Sequence, residues 1–337
     1  MSLKRQFWCC AVLLAGMAST LSANEPEAKI VEIKKIWDSA PHNAFTDLAF
    51  HNGHWYCVFR EGKGHVSPDG ALRILTSTDG KEWTSAALVT APDADLRDAK
   101  IFVTEDGRLQ LSGAGAWHKP KEATHQSFVW YSNDGKEWGE AISIADPGYW
   151  VWRIVDRDGA QYGLGYETKK KTFGTRLYKS EDGRKFKAIV PTLTGPDMGY
   201  ANEAALLFLA DGTLLSVLRR DTPGKLEGLL GTAKAPYTEW SWKPLNLRIG
   251  GPDMLQLPDG RIVVAGRDYV GGATTRLWWL DTENQKLNEI VKLPSGGDTS
   301  YPGLVYKDGF LWVSYYSSHE GKTSIYLAKV QLPPASP

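Results

Sequence analysis

Ser132-Asn133-Asp134-Gly135-Lys136-Glu137-Trp138 decides the fold, because it recurs. Ser77-Thr78-Asp79-Gly80-Lys81-Glu82-Trp83 matches it at every key position, and Ser180-Glu181-Asp182-Gly183-Arg184-Lys185-Phe186 matches with Phe for Trp. The three aspartates are 55 and 48 residues apart. Each copy follows an apolar, strand-like run, such as Leu72–Thr76 or Phe128–Tyr131. The chemistry is that of a tight hairpin turn: Asp accepts backbone N–H groups, Gly supplies φ > 0, and the aromatic three residues later folds back as an anchor.

A second repeat is steadier. Turn glycines Gly53, Gly107, Gly159, Gly212, Gly260 and Gly309 each precede a short apolar strand, at intervals of 54, 52, 53, 48 and 49 residues. Short strands with Gly-centred turns repeating near 50 residues predict an all-β fold, a six-bladed β-propeller of four-stranded antiparallel blades. The strand before each turn glycine is predicted to be innermost and to line the central channel. Blade four has Ala233-Lys234-Ala235-Pro236-Tyr237 in place of the acidic turn, and blade five has Asp281-Thr282-Glu283-Asn284. The sixth repeat ends one strand short after Thr323–Val330, and the alternating run Ile30–Ile36 is expected to fill that place and remove the open edge.

Residues 1–23 read as a secretory signal peptide, with Lys4 and Arg5 before an apolar Phe7–Met17 core, which predicts a secreted or periplasmic protein of residues 24–337 with no membrane segment after cleavage. Removing Lys4 and Arg5 leaves 37 basic against 39 acidic residues, a balance of −2. No basic block suggests a nucleic-acid partner, and Lys169-Lys170-Lys171 reads as a solvated loop. Cys57 is the one cysteine outside the signal segment; it lies in an apolar strand and reads as inert core. The seven histidines show no ligand-like spacing, and no phosphate-cradling or Ca²⁺-loop pattern is present, so no metal or cofactor is implied. The expected partner is a glycan, met by a monomer.

The predicted channel mouth is polar: Asp47, Arg97, Asp98, Trp150, Arg153, Asn202, Glu203, Asp253 and Tyr301. Ionisable groups in a narrow channel are either paired across blades or used. Both readings stand at the level of composition.

The Ser-x-Asp-Gly-x-x-Trp pattern is the Asp box, and with it the chain resembles the sialidase (neuraminidase) superfamily, in which the motif is structural. Asn202–Arg219 resembles a blade of that family carrying the catalytic glutamate at its start and a substrate-clamping arginine at its end, which implies those roles for Glu203 and Arg219. Thr274–Trp278 resembles the segment of another clamp arginine, implying Arg276, and Ser300–Val305 the segment of the tyrosine nucleophile, implying Tyr301. Asp98 falls where the family places a pocket aspartate. The resemblance implies an exo-glycosidase in which a neutral tyrosine, deprotonated by a glutamate, avoids the repulsion that an anionic nucleophile would suffer from an acidic sugar.

The chain departs from the family pattern twice. Ala44-Phe45-Thr46 stands where the first clamp arginine is expected, leaving Arg60 or Arg97 as substitutes, and the loop Glu61–Gly70 offers Asp69 as acid/base, with His65 as a rival donor. The substrate is therefore read as sialic acid, a related ulosonic acid or another uronate-bearing sugar. Two alternatives stay open: a non-catalytic glycan-binding propeller, and a glycosidase or lyase using His and Tyr.

Overall fold

The computed structural model describes residues 27–120, 122–169 and 174–335. The signal segment, Lys170 and Lys171 lie outside the described residues. The described chain forms six four-stranded antiparallel sheets. Blade one is β2 (His42–His51), β3 (His54–Gly62), β4 (Ala71–Ser77) and β5 (Thr84–Val89). Blade two is β6 (Ala94–Val103), β7 (Leu109–Trp117), β8 (His125–Ser132) and β9 (Ile142–Ile144). Blade three is β10 (Tyr149–Arg157), β11 (Ala160–Glu167), β12 (Thr175–Ser180) and β13 (Lys187–Thr194). Blade four is β14 (Ala201–Phe208), β15 (Leu214–Arg220), β16 (Leu229–Ala233) and β17 (Ser241–Pro244). Blade five is β18 (Gly250–Gln256), β19 (Ile262–Asp268), β20 (Thr274–Asp281) and β21 (Lys286–Lys292). Blade six takes β22 (Thr299–Lys307), β23 (Phe310–Ser317) and β24 (Ser324–Gln331) from the C-terminal end, and its outer strand β1 (Lys29–Trp37) from the N-terminal end. The expected strand at Ile30–Ile36 thus closes the ring, paired antiparallel with β24 from Lys29↔Gln331 to Trp37↔Ile325. Among the described residues no helix is long and apolar enough to cross a membrane.

The recurring acidic turns hold the blades at the end opposite the starts of the inner strands. In blade two, Ser132 Oγ accepts the Gly135 amide at 2.8 Å, and Asp134 Oδ1 accepts those of Lys136 and Glu137 at 2.8 and 3.0 Å. The Trp138 indole N–H then donates to the Gly135 carbonyl at 3.1 Å. The turn at Asp79 repeats all of these contacts, with its indole bond also at 3.1 Å. Gly135 is required twice over: its φ is +71°, and a Cβ there would lie 2.2 Å from the Tyr56 ring of blade one. Each turn therefore seats against the preceding blade. In blade four Tyr237 takes the glycine's place at φ +67°, receives the Trp240 indole N–H at 2.9 Å, and packs its ring 5.3 Å from Tyr162 of blade three.

Every inner strand carries a two-for-one bulge near its start. The register skips at Phe45-Thr46, Asp98-Ala99, Trp152-Arg153, Asn202-Glu203, Gly251-Pro252 and Tyr301-Pro302. A bulge bends its strand and re-aims a side chain; six of them, one per blade, turn six short stretches toward one channel mouth. Below this ring the channel is plugged by charge. Arg153 lies 3.1 Å from Asp47 and 3.2 Å from Asp253, while Lys100 donates to the Thr46 carbonyl at 3.1 Å. Asp47 and Asp253 also accept the amides of Ile101 and Leu304, each on the next blade. For Asp47, Arg153 and Asp253, the ion-pair reading of the polar channel describes what is seen. Cys57 is fully buried, and burial pushes its thiol well above its ordinary value.

Candidate active site

Three blades meet at Glu203. Its carboxylate accepts the Tyr301 hydroxyl at 2.6 Å and the Arg219 guanidinium at 2.9 and 2.8 Å. It also accepts the Gly251 amide at 2.7 Å. All of these partners donate, so the geometry is that of an ionised acceptor with the phenolic proton aimed at it. Arg219 lies opposite the bulge at Asn202-Glu203 and reaches the Tyr301 oxygen at 3.1 Å. Tyr301 itself sits at φ +50°, an uncommon conformation for a bulky side chain, fixed where Thr46 of blade one donates to its carbonyl at 2.8 Å. Gly251 makes room for it: a Cβ there would lie 2.7 Å from the tyrosine ring.

The surroundings of Tyr301 are aromatic and cationic. Phe45 and Trp152 meet its ring edge-on at 5.0 and 5.5 Å between centroids, and Tyr316 lies at 6.0 Å. The Arg267 guanidinium stands over the same ring at 5.0 Å, held by the Thr299 carbonyl at 2.8 Å and the Tyr316 hydroxyl at 2.9 Å. Burial and the charge of Glu203 push the Tyr301 phenol well above its ordinary value, while Arg219 and Arg267 act in the opposite sense. The resting phenol is therefore neutral. Asp98 sits in the bulge of blade two at φ +53° with Oδ1 buried and unpartnered. Burial raises its carboxyl to about 7, with Glu203 adding to the rise against Lys100, Arg97 and Arg60.

Glu203, Arg219 and Tyr301 are thus brought together, with Asp98 close enough to feel Glu203. The remaining expected residues are placed elsewhere. Arg276 is on the third strand of blade five and pairs with Asp268 at 2.8 Å and with Glu289, away from the tyrosine; Arg267, on the second strand, occupies the place expected of it. Arg60 is fully buried and pins the loop after β3, donating to Gly64 O at 2.8 Å, Ser67 O at 3.2 Å and Asp95 at 2.8 Å. Arg97 is drawn to the same Asp95, at 2.7 Å. Asp69 is exposed and accepts the Lys63 amide at 3.2 Å within its own loop. It serves the loop's geometry and makes no contact with the tyrosine.

What that loop does contribute is His65. Its Nδ1 lies 2.8 Å from Asp298, whose same oxygen is 2.9 Å from His42 Nε2, and the Tyr316 hydroxyl donates to the other oxygen at 2.7 Å. Burial pushes Asp298 up, but the bonds from His42, His65 and Tyr316 outweigh it and hold this carboxyl well below the usual range. Spacing along the chain does not reveal this group, since 23 and 233 residues separate its members. These three have metal-ligating atom types within 4.8 Å of one another. However, the contacts are ordinary N–H···O distances, and His42 Nδ1 is buried without the outer partner a ligating imidazole takes. The group is a hydrogen-bonded triad.

No family model matches the sequence, and no curated protein matches it. Solved structures do. A protein of unknown function from Dyadobacter fermentans superposes with a TM-score of 0.80 at 20% identity, covering 91% of this chain and all of the other. Trypanosoma rangeli sialidase gives 0.71 at 14% identity over 90% of this chain, which spans 59% of that protein. This chain has the six-bladed propeller fold of the sialidases. The same fold is found in Penicillium chrysogenum alpha-L-arabinanase, solved with arabinobiose, at a TM-score of 0.69 and 14% identity over 90% of this chain and 98% of the other. Glycosidases named for unlike sugars therefore share this architecture, and the fold does not select the substrate.

Proposed function

We propose that this chain is an exported exo-glycosidase that releases a terminal acidic sugar with retention, using Tyr301 as nucleophile and Glu203 as its base. The observation that carries the reading is the 2.6 Å bond from the Tyr301 hydroxyl to Glu203, bridged by Arg219. As the phenolic oxygen attacks the anomeric carbon, its proton passes to Glu203. The nucleophile thus becomes anionic only as it bonds, which suits a substrate that carries a carboxylate beside that carbon. Arg219 and Arg267 flank the tyrosine and supply planar donors for the carboxylate. The charged plug beneath the bulge ring closes the channel floor, which favours a chain-end sugar over an internal one. With Phe45 in place of a third arginine, the clamp suits sialic acid, a related ulosonic acid or a uronate. The acidic hairpin turns carry the Asp-box pattern of the sialidase superfamily, and the Lys4-Arg5 and Phe7–Met17 segment supports export.

The test is incubation of the 24–337 protein with a panel of sialosides, ulosonic acid glycosides and uronate-ended oligosaccharides, with products read by mass spectrometry. Release of one acidic monosaccharide by the wild type, and retained binding with turnover lost by at least 10³-fold in Tyr301→Phe, are expected. A Tyr301→Phe protein with unchanged turnover overturns the mechanism.

A further inference from the structure

A retaining reaction also needs a proton for the departing sugar oxygen, and neither Glu203 nor Tyr301 can deliver it while they exchange their own. Asp69, the carboxylate expected for this step, caps the Lys63 amide instead. His65, from the same loop, stands edge-on to Phe45 at 5.0 Å, and Phe45 stands edge-on to Tyr301 at 5.0 Å. The imidazole is thus one ring away from the nucleophile, on the solvent side, with its side chain 53% exposed. Asp298 holds Nδ1 at 2.8 Å, which leaves Nε2 as the free nitrogen. Asp298 is partly buried, and a carboxylate that fixes one imidazole nitrogen sets the tautomer and stabilises the protonated ring, leaving the other nitrogen for proton transfer. Asp298 is itself fixed from behind by Tyr316 at 2.7 Å, with Arg267 at 3.7 Å and His42 at 2.9 Å. Arg60 secures the loop from below through Gly64 and Ser67.

We propose that His65, positioned by Asp298, is the catalytic acid that protonates the leaving group; this rests on the glycosidase reading above. In the first step the Tyr301 oxygen bonds to the anomeric carbon and its proton moves to Glu203. The glycosidic C–O bond breaks, and the departing oxygen keeps the electron pair and takes the proton from His65 Nε2. In the second step neutral His65 takes a proton from water as that water attacks the anomeric carbon. The sugar–Tyr301 bond breaks, and Glu203 returns its proton to the phenolic oxygen. Atoms and charge balance over the cycle, and one water is consumed.

The experiment compares leaving groups. Paired methyl and 4-methylumbelliferyl glycosides of N-acetylneuraminic acid, of its deaminated analogue and of glucuronic acid are assayed with wild type, His65→Gln, Asp298→Asn and Asp69→Asn, each checked for folding by its melting temperature. A methyl alcohol needs a proton to leave, whereas umbelliferone does not. His65→Gln is therefore expected to lose about 10²–10⁴-fold in kcat/KM on the methyl glycoside and less than about tenfold on the umbelliferyl one. Asp298→Asn, acting through His65, shows the same split more weakly, and Asp69→Asn shows none. Should His65→Gln unfold, His65→Ala with added imidazole provides the second route, and imidazole is expected to restore the methyl glycoside rate selectively. Equal losses on both leaving groups, or the split appearing in Asp69→Asn, overturn the proposal while leaving Tyr301 and Glu203 in place. A wild type inactive on every pair overturns the glycosidase reading and this proposal with it.

Discussion

At the scale of single residues the two candidate arginines of blade five separate by experiment. Arg267 stands over the Tyr301 ring, and Arg276 is tied to Asp268 and Glu289. Arg267→Ala is expected to weaken binding of the acidic sugar roughly 30- to 300-fold by calorimetry, because a charge-assisted contact is removed. Arg276→Ala is expected to change binding less than about threefold but to cost about 2–4 kcal/mol in denaturant unfolding, since buried Asp268 loses its guanidinium partner and keeps only the amides of Tyr269 and Val270. The reverse pattern would show that the substrate is held elsewhere. The arginine that stands beside Tyr301 was within reach of the sequence. Arg219 and Arg267 both stand seven residues after their turn glycines, Gly212 and Gly260, so counting from the repeat finds what local resemblance around Thr274–Trp278 misplaces. The same count gives Arg60 in blade one, yet Arg60 is engaged by Asp95 and the Gly64–Ser67 loop. Periodicity places a side chain on a strand; its rotamer and partner depend on a neighbouring blade, which no local pattern contains. His65 was legible as a rival donor in its loop, but its partner was not, because Asp298 reaches it across 233 residues of chain.

At the scale of elements the hairpin turns and the bulges divide the labour. The turns bind blade to blade at one end, and the bulges gather the side chains of the candidate site at the other. Within the Ser132–Trp138 turn the buried serine matters more than the exposed aspartate. Ser132 Oγ accepts the buried Gly135 amide at 2.8 Å, and Ser132→Ala leaves that donor unpaired, at a cost of about 1–2 kcal/mol. Asp134 is exposed, so water replaces much of what Asp134→Ala removes, and its effect on the unfolding midpoint is expected to be smaller than that of Ser132→Ala. Thermal melts of both variants check the order. The glycine period made the blades legible from sequence, since a φ > 0 turn every 50 or so residues leaves little choice of architecture. The six bulges were not legible, because a two-for-one register shift depends on the partner strand. Phe45, Asp98, Gly251 and Tyr301 share the same left-handed backbone there without sharing any side-chain character.

At the scale of the whole molecule the channel is a stack of charge, and its uppermost member sets a pH dependence. Burial lifts Asp98 to about 7, above the ordinary carboxyl, so the folded state holds a proton that the unfolded chain releases near 4. The stability this contributes is complete below about pH 4 and is lost as pH rises through about 7. Asp98→Asn mimics the protonated form at every pH, so its melting temperature relative to wild type is expected to rise between pH 5.5 and 8. A difference that stays flat would show Asp98 ionised throughout. The ring carries a second consequence, because the candidate site straddles its closing seam. Tyr301 belongs to blade six and His42, Phe45 and His65 to blade one, joined by Thr46 to the Tyr301 carbonyl at 2.8 Å and by the Asn43 amide to Thr323 at 3.1 Å. Blade six is completed by β1, whose Ile30 and Ile33 pack against its core while Ile36 and Trp37 reach the cluster shared with blade one. Lys34 reaches Glu82 of blade one at 3.0 Å. Removing residues 24–36 exposes the β24 edge and these apolar contacts together. The loss of buried Ile36 and partly buried Ile30 and Ile33 predicts a fall in melting temperature on the order of 10 °C. Because the seam rather than a distant blade is loosened, sugar binding should weaken already at temperatures where the truncated chain is still folded. Val270→Ser, an exposed change in blade five, is expected to alter neither. A truncated protein with native melting and native binding would show that the ring holds its register without β1.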